Sequence, residues 1–167
     1  MADVFNKEDV ELDALYRDTV LDHYRSPRGR HPLDRIDATR AGYNPLCGDR
    51  LTVSLKLDGE TIAGVAVDGK GCAISMASGS MLSELLPGKT ISEAHALGEA
   101  FRGIMHGRPA PADLDMGDLD ALEGVRNFPV RVKCALLAWV TMDDALRRVE
   151  LGDDPSTGVT VTEEGNS

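Results

Sequence analysis

Residues 50–67 read RLTVSLKLDGETIAGVAV, and this stretch decides the fold. Leu51, Val53, Leu55 and Leu57 alternate with polar residues, the period-two pattern of a strand with one buried face. Asp58–Gly59 is a hairpin turn signal. TIAGVAV then returns as a second strand, with Val65 and Val67 on one face. The sequence therefore predicts an antiparallel hairpin around which everything else is arranged.

Outward from the hairpin the pattern turns helical. On the N-terminal side, residues 9–25 predict a helix from the spacing of Leu12, Leu15, Tyr16, Thr19, Val20 and Tyr24. RSPRGRHP (25–32) breaks it, and a loop through AGYNPLCGD (41–49) leads into the first strand. On the other side, DGKGCAIS (68–75) is a glycine-flanked turn, and SMASGSMLSELLPG (75–88) reads as a helix stopped by Pro87–Gly88. Its Met76, Met81, Leu82 and Leu85 form a core stripe. TISE (90–93) is a capping box opening a helix to about His106. Residues 107–124, rich in Pro, Gly and Asp, read as an excursion with one short helix near Asp118–Leu122. The strongest helix follows Pro129; in it Asp143 and Asp144 sit four residues before Arg147 and Arg148. The order predicts an α+β fold, a small antiparallel sheet packed against several helices. It divides into a domain over 1–150 and a flexible acidic tail over 151–167, where large apolar side chains are few.

Composition narrows the function. The chain has 167 residues and a net charge of −10, which repels phosphate backbones and anionic lipid heads. No apolar run approaches a membrane span, and the charged N-terminus has no apolar leader core, so the expectation is a cytoplasmic protein without nucleic-acid or membrane partners. The three cysteines, Cys47, Cys72 and Cys134, are an odd number with no C-x-x-C, which argues against a disulfide framework. Taken singly, each is either a small buried hydrophobe or one arm of a metal site.

Position sharpens that choice. Cys47 precedes the first strand and Cys72 follows the second, so hairpin pairing brings both to the same end of the sheet. Cys134 falls in the first turn of the last helix, where the macrodipole is expected to lower its pKa. Asp49, beside Gly48, can add an oxygen. Three thiolates and one carboxylate suit a borderline-soft ion such as zinc. Arg50, Lys70, Arg131 and Lys133 lie within two or three residues of these donors and read as compensation for their charge. His23, His31, His95 and His106 fall in other segments and read as surface or packing residues.

LYRDTVLDHYRSPRG (15–29), NPLCGDRL (44–51), DGKGCAISMASGSMLSELLPGK (68–89) and FPVRVKCALLAW (128–139) together resemble the SufU proteins, within the broader IscU-like (NifU N-terminal-like) family of iron–sulfur cluster assembly. The resemblance spans roughly residues 12–150 and implies an IscU-like fold. Lys133 stands where IscU-type scaffolds have a histidine before the last cysteine, and residues 107–124 match a SufU-type insertion. Both features favour the zinc-bound sulfur-transfer branch. The resemblance implies a sulfurtransferase with Cys47 as acceptor, and zinc held by Cys47, Asp49, Cys72 and Cys134. It implies a SufS-type cysteine desulfurase as donor and the SufB–SufC–SufD assembly downstream. Arg131, Lys133 and Gly48 are its supporting residues. A metal-bound thiolate is a poor nucleophile, so transfer requires Cys47 to come free, and Gly48 lets its turn move. Two rivals stand beside this reading: a scaffold on which a [2Fe–2S] cluster is built on the same donors, with iron in place of zinc, and a domain whose zinc is purely structural.

Overall fold

The computed structural model describes residues 16–152 and 159–161. The predicted hairpin is its centre. Strand β2 (Asp49–Asp58) pairs antiparallel with β3 (Thr61–Lys70) in a register running from Arg50↔Lys70 to Asp58↔Thr61, with an irregularity between Lys56 and Leu57. Leu51, Val53 and Leu55 are buried from β2, and Ile62, Val65 and Val67 from β3.

On the other side of β2, where the sequence predicts a loop, lies a third strand. Strand β1 (Ala38–Asn44) pairs antiparallel with β2, from Ala38↔Leu55 to Asn44↔Asp49. Its inward residues are Ala38, Arg40, Gly42 and Asn44, so the alternation is in burial and not in hydrophobicity. Two of these choices are dictated by the last helix. Arg40 is buried against Asp144, Nε to Oδ2 at 2.6 Å. A Cβ on Gly42 would lie 2.1 Å from Thr141 Oγ1, so only glycine lets the helix sit this close to the strand.

The sheet order is β3-β2-β1-β4. Strand β4 (Val159–Val161) runs parallel to β1, with Gly42 opposite Thr160. It falls inside the segment 151–167 expected to be a flexible tail. Its Val-Thr-Val run is β-branched and adds to the outer edge of β1.

Helices cover one face of the sheet. The expected helix over 9–25 is described from Tyr16: a π-helical turn (Tyr16–Val20) leads into α1 (Leu21–Arg25), and residues 9–15 lie outside the described residues. Helix α2 (Ala73–Leu85) packs on α1, β3 and α4 (Pro129–Leu151), and α4 also lies on β1 and β2. Helix α3 (Ile91–Met105) packs on α4 through Phe101 and Trp139, whose ring centroids are 5.7 Å apart. Its capping box forms as read: Thr90 N–H donates to Glu93 Oε1 at 2.9 Å and Glu93 N–H to Thr90 Oγ1 at 3.1 Å. The excursion carries a 3-10 segment (Gly117–Asn127) that buries Leu119, Leu122 and Val125.

Two histidines are ties between elements. Buried His23 bridges Ser80 Oγ on α2 (2.7 Å) and Asp118 Oδ2 on the 3-10 segment (2.8 Å). His95 on α3 bridges Asp143 and Glu150 on α4. Among the described residues no helix is long and apolar enough to cross a membrane.

Candidate metal centre

The β1–β2 hairpin loop carries the first donor. Asn44 and Asp49 close the strand pair, and Pro45–Gly48 make the turn between them, with Gly48 N–H donating to the Asn44 carbonyl at 2.8 Å. Gly48 sits at φ +73°, a left-handed conformation that glycine adopts without a Cβ penalty. That turn leaves Cys47 partly exposed while strand alternation buries Asp49 beside it.

Cys72 sits at the N-cap of α2, where its Sγ accepts from Ser75 N–H at 3.5 Å and its own N–H donates to Asp49 Oδ1 at 3.0 Å. Cys134 is buried and its Sγ lies 3.3 Å from Cys47 Sγ. Cys47, Asp49 and Cys134 offer donor atoms all within 4.8 Å of one another. Cys72 stands at the margin of this set, joined to it by the hydrogen bond from its N–H to Asp49 Oδ1.

The thiol electrostatics correct the sequence reading. Cys134 is one turn inside α4, its Sγ directed back to the Val130 carbonyl at 3.7 Å, so it is not in the first turn and gains no exposed N–H groups. Its pKa is pushed up, first by the hydrogen bond to Cys72, then by burial. Cys72, at the N-cap of α2, is instead the thiol that is pushed down, to about 6. The hydrogen bond from Cys134 is the main cause; burial opposes it, and the N–H groups of Ser75 and Ile74 add to it.

The expected charge compensation also reads differently. Arg50 and Lys70 are exposed, and Arg50 lies over the Tyr43 ring, its Cζ 4.2 Å from the centroid. They point away from Asp49, which alternation sends to the opposite face of β2. Arg131 lines an open apolar cleft of about 470 Å³ with Cys47, Asn127, Phe128, Pro129 and Val130. Lys133 is half-buried on α4, one residue before Cys134.

Sequence reasoning missed Asn44. Its buried amide donates to Asp49 Oδ2 at 3.4 Å and to Cys134 Sγ at 3.5 Å, and its Oδ1 accepts from Leu46 N–H at 3.2 Å. The signal was local: Asn before Pro at the start of a tight turn is a residue whose side chain caps its own loop. Gly71 is a second omission. A Cβ there would lie 2.9 Å from Asp49 Oδ1 and 3.0 Å from Ser75 Oγ, a buried hydroxyl without a hydrogen-bond partner among the described residues.

These donors fit a tetrahedral zinc ion in kind. Zn–S bonds of about 2.3 Å set thiolate sulfurs roughly 3.8 Å apart, so Cys47 and Cys134 would separate by about half an ångström to share one ion. A second group, His23, Glu84 and Asp118, fits less well, because His23 is occupied by Ser80 and Asp118, and Glu84 by Arg28 at 3.4 Å.

Comparison with known proteins places this arrangement. The NifU-like N terminal domain family matches residues 15–135. This chain belongs to that family. It is 38% identical over 144 residues to the zinc-dependent sulfurtransferase SufU of Bacillus subtilis, a match covering 86% of this chain and 97% of that one. It is also 38% identical over 138 residues to the iron–sulfur cluster assembly scaffold protein IscU of Streptococcus pyogenes, covering 83% and 86%. The fold superposes on the N-terminal NifU-like protein of Brucella abortus with a TM-score of 0.77 at 27% identity, covering 84% of this chain and 98% of that one. The α+β, IscU-like expectation therefore holds, as does the assignment to iron–sulfur cluster assembly proteins.

Proposed function

We propose that this member of the NifU-like family is a cytoplasmic, zinc-dependent sulfur acceptor. It takes persulfide sulfur from a SufS-type cysteine desulfurase and passes it to the SufB–SufC–SufD assembly. One observation carries this reading: Cys47 is partly exposed at a turn tip beside an apolar cleft, while Asp49 and Cys134 are buried and Cys72, also partly exposed, is engaged as the N-cap of α2.

Cys47, Asp49, Cys72 and Cys134 would hold the zinc, which when bound keeps the thiols deprotonated at neutral pH. The chain's residues then divide the work. Asp49 is fixed from two sides, by Cys72 N–H and the Asn44 amide. Cys47 carries the chemistry: its free thiolate would attack the terminal sulfur of the partner's persulfide. The new Cys47 S–S bond forms as the donor's S–S bond breaks, and the donor cysteine leaves as thiolate. The sulfane sulfur changes carrier with no net oxidation. Leu46 and Val130 are both largely exposed beside Cys47 and supply an apolar surround for the donor segment.

The scaffold reading is kept by the IscU relatives, and the same donors could hold a [2Fe–2S] cluster. Lys133 counts against it, since lysine offers no ligand at neutral pH. The deciding experiment is cysteine desulfurase turnover with and without this protein, for wild type and Cys47→Ala. Strong stimulation that vanishes in Cys47→Ala, with labelled sulfur recovered on Cys47, supports the acceptor. No stimulation, with a stable and transferable cluster after anaerobic reconstitution, would replace it by the scaffold.

A further inference from the structure

The outer face of the sheet carries a feature that the metal centre does not use. Strand register sets Tyr43, Arg50 and Lys70 in one transverse row across β1, β2 and β3. This is the row next to the one that holds Asn44 and Asp49, on the face opposite those two buried side chains. Arg50 and Lys70 are directly opposed, both exposed, and neither makes an ion pair with a described residue. Like charges opposed across an antiparallel pair destabilise it.

Three internal explanations fail. Compensation of the donors fails because both side chains face away from them. Protection of a sheet edge accounts for a lysine on the edge strand β3, but not for an arginine on the central strand β2. Shortage of carboxylates fails because the chain has 28 acidic against 18 basic residues. Several surface bases are paired, Arg30 with Asp68, Lys56 with Asp34 and Arg126 with Glu123; others such as Arg25 and Arg108 stand without an ion pair to a described residue, but only Arg50 and Lys70 are opposed in one cross-strand row. The Tyr43 ring meanwhile packs against the Arg50 guanidinium, which restrains its fork and leaves it to pair with a carboxylate from outside. A shallow depression of about 340 Å³ lined by Ala41, Thr52 and Gly69 along with Arg50 and Lys70 gives such a group room.

We infer that the Tyr43–Arg50–Lys70 row is a recognition strip for an acidic patch on the protein that delivers sulfur to Cys47. The inference rests on the sulfur-acceptor reading and adds the surface by which the donor is recognised. A nucleic-acid occupant is disfavoured by the −10 net charge, which leaves two cations as an island in a repelling surface. An acidic protein patch needs only that island, and the attraction falls steeply with salt.

The test measures the affinity of the zinc-loaded protein for the organism's own cysteine desulfurase at low and high ionic strength. Wild type is compared with Arg50→Glu/Lys70→Glu and with a control carrying the same charge change elsewhere, Lys89→Glu/Arg108→Glu. Zinc content and thermal midpoint establish that both variants are folded and loaded. The expected result is roughly tenfold or greater weakening in Arg50→Glu/Lys70→Glu only, with a flattened salt dependence and with turnover at saturating partner retained. Equal weakening by the control would overturn the strip in favour of net charge. Unchanged affinity and salt dependence in Arg50→Glu/Lys70→Glu would overturn it outright while leaving the acceptor reading intact. A wild-type protein that neither binds nor stimulates the desulfurase would remove the acceptor reading and the strip with it.

Discussion

Asn44 and Cys134, ninety positions apart in the chain, meet through a side-chain amide 3.5 Å from a buried sulfur. The same amide reaches Asp49 Oδ2 at 3.4 Å. One neutral donor therefore serves both an oxygen and a sulfur that would bind a cation in anionic form, and it ties the β1–β2 loop to α4. Asn44→Ala removes that donor and leaves a buried carboxylate and sulfur undersupplied. The expected loss is about 1–3 kcal/mol of stability. Asn44→Asp keeps the shape but adds a buried anion, and is expected to be worse in the metal-free protein and partly restored by zinc. Denaturant unfolding of both variants, with and without the metal, checks this.

Cys47 and Cys134 are expected to separate by role. Cys47 is partly exposed and Cys134 fully buried, so Cys47→Ser changes the thermal midpoint little, whereas Cys134→Ser places a hydroxyl in a site shaped for sulfur and lowers both zinc stoichiometry and midpoint. Sulfur acceptance is lost in Cys47→Ser even where metal remains. Zinc analysis, calorimetry and a labelled-sulfur assay on the same preparations make the comparison. A Cys47→Ser protein that still accepts sulfur would sink the assignment of the acceptor.

Gly71→Ala tests how tightly the carboxylate is held. The added methyl would sit 2.9 Å from Asp49 Oδ1 and 3.0 Å from Ser75 Oγ, so one of them must move. Asp49 Oδ1 is also the acceptor for Cys72 N–H, so the shift disturbs the N-cap of α2 as well. Metal affinity is expected to fall by about tenfold, corresponding to roughly 1.4 kcal/mol, with a smaller effect on the metal-free fold. Competition with a chromophoric chelator reads the affinity directly.

How far the sequence could be read depended on whether the signal was hydrophobic. Leu51, Val53 and Leu55 announce β2 because every second residue is apolar, and the Thr90–Glu93 box announces α3 because its two hydrogen bonds are local. Strand β1 was invisible for the opposite reason: Arg40, Gly42 and Asn44 are inward because of Asp144, Thr141 and Cys134, all contributed by α4. Among the candidate donors, the sequence places Cys47, Asp49 and Cys72 at one end of a hairpin, and the structure does the same. The depth of Cys134 in α4 was not legible, since one turn of helix decides whether a thiol meets free N–H groups or a carbonyl.

His95 gives a pH prediction that is independent of the metal donors. Its Nδ1 faces Asp143 Oδ1 and its Nε2 lies 2.7 Å from Glu150 Oε1, so both ring nitrogens point at carboxylates and the imidazolium satisfies both. Burial pushes the pKa down, but the hydrogen bonds to Glu150 and Asp143 and the two charges together raise it above the ordinary value. A pKa raised on folding means that the folded state holds the proton more tightly. The stabilisation is fully present below the unfolded value, near 6.5, and is lost as pH rises through the higher folded value. Cys72, pushed down to about 6, titrates close to the same window, so the wild-type curve alone does not isolate the histidine. The difference between wild type and His95→Gln does. His95→Gln is expected to be less stable than wild type at acidic pH, with the gap closing as pH rises above neutrality. Unfolding free energies measured across that range read the gap; one that stays constant or widens with pH would show that His95 is not held as the imidazolium.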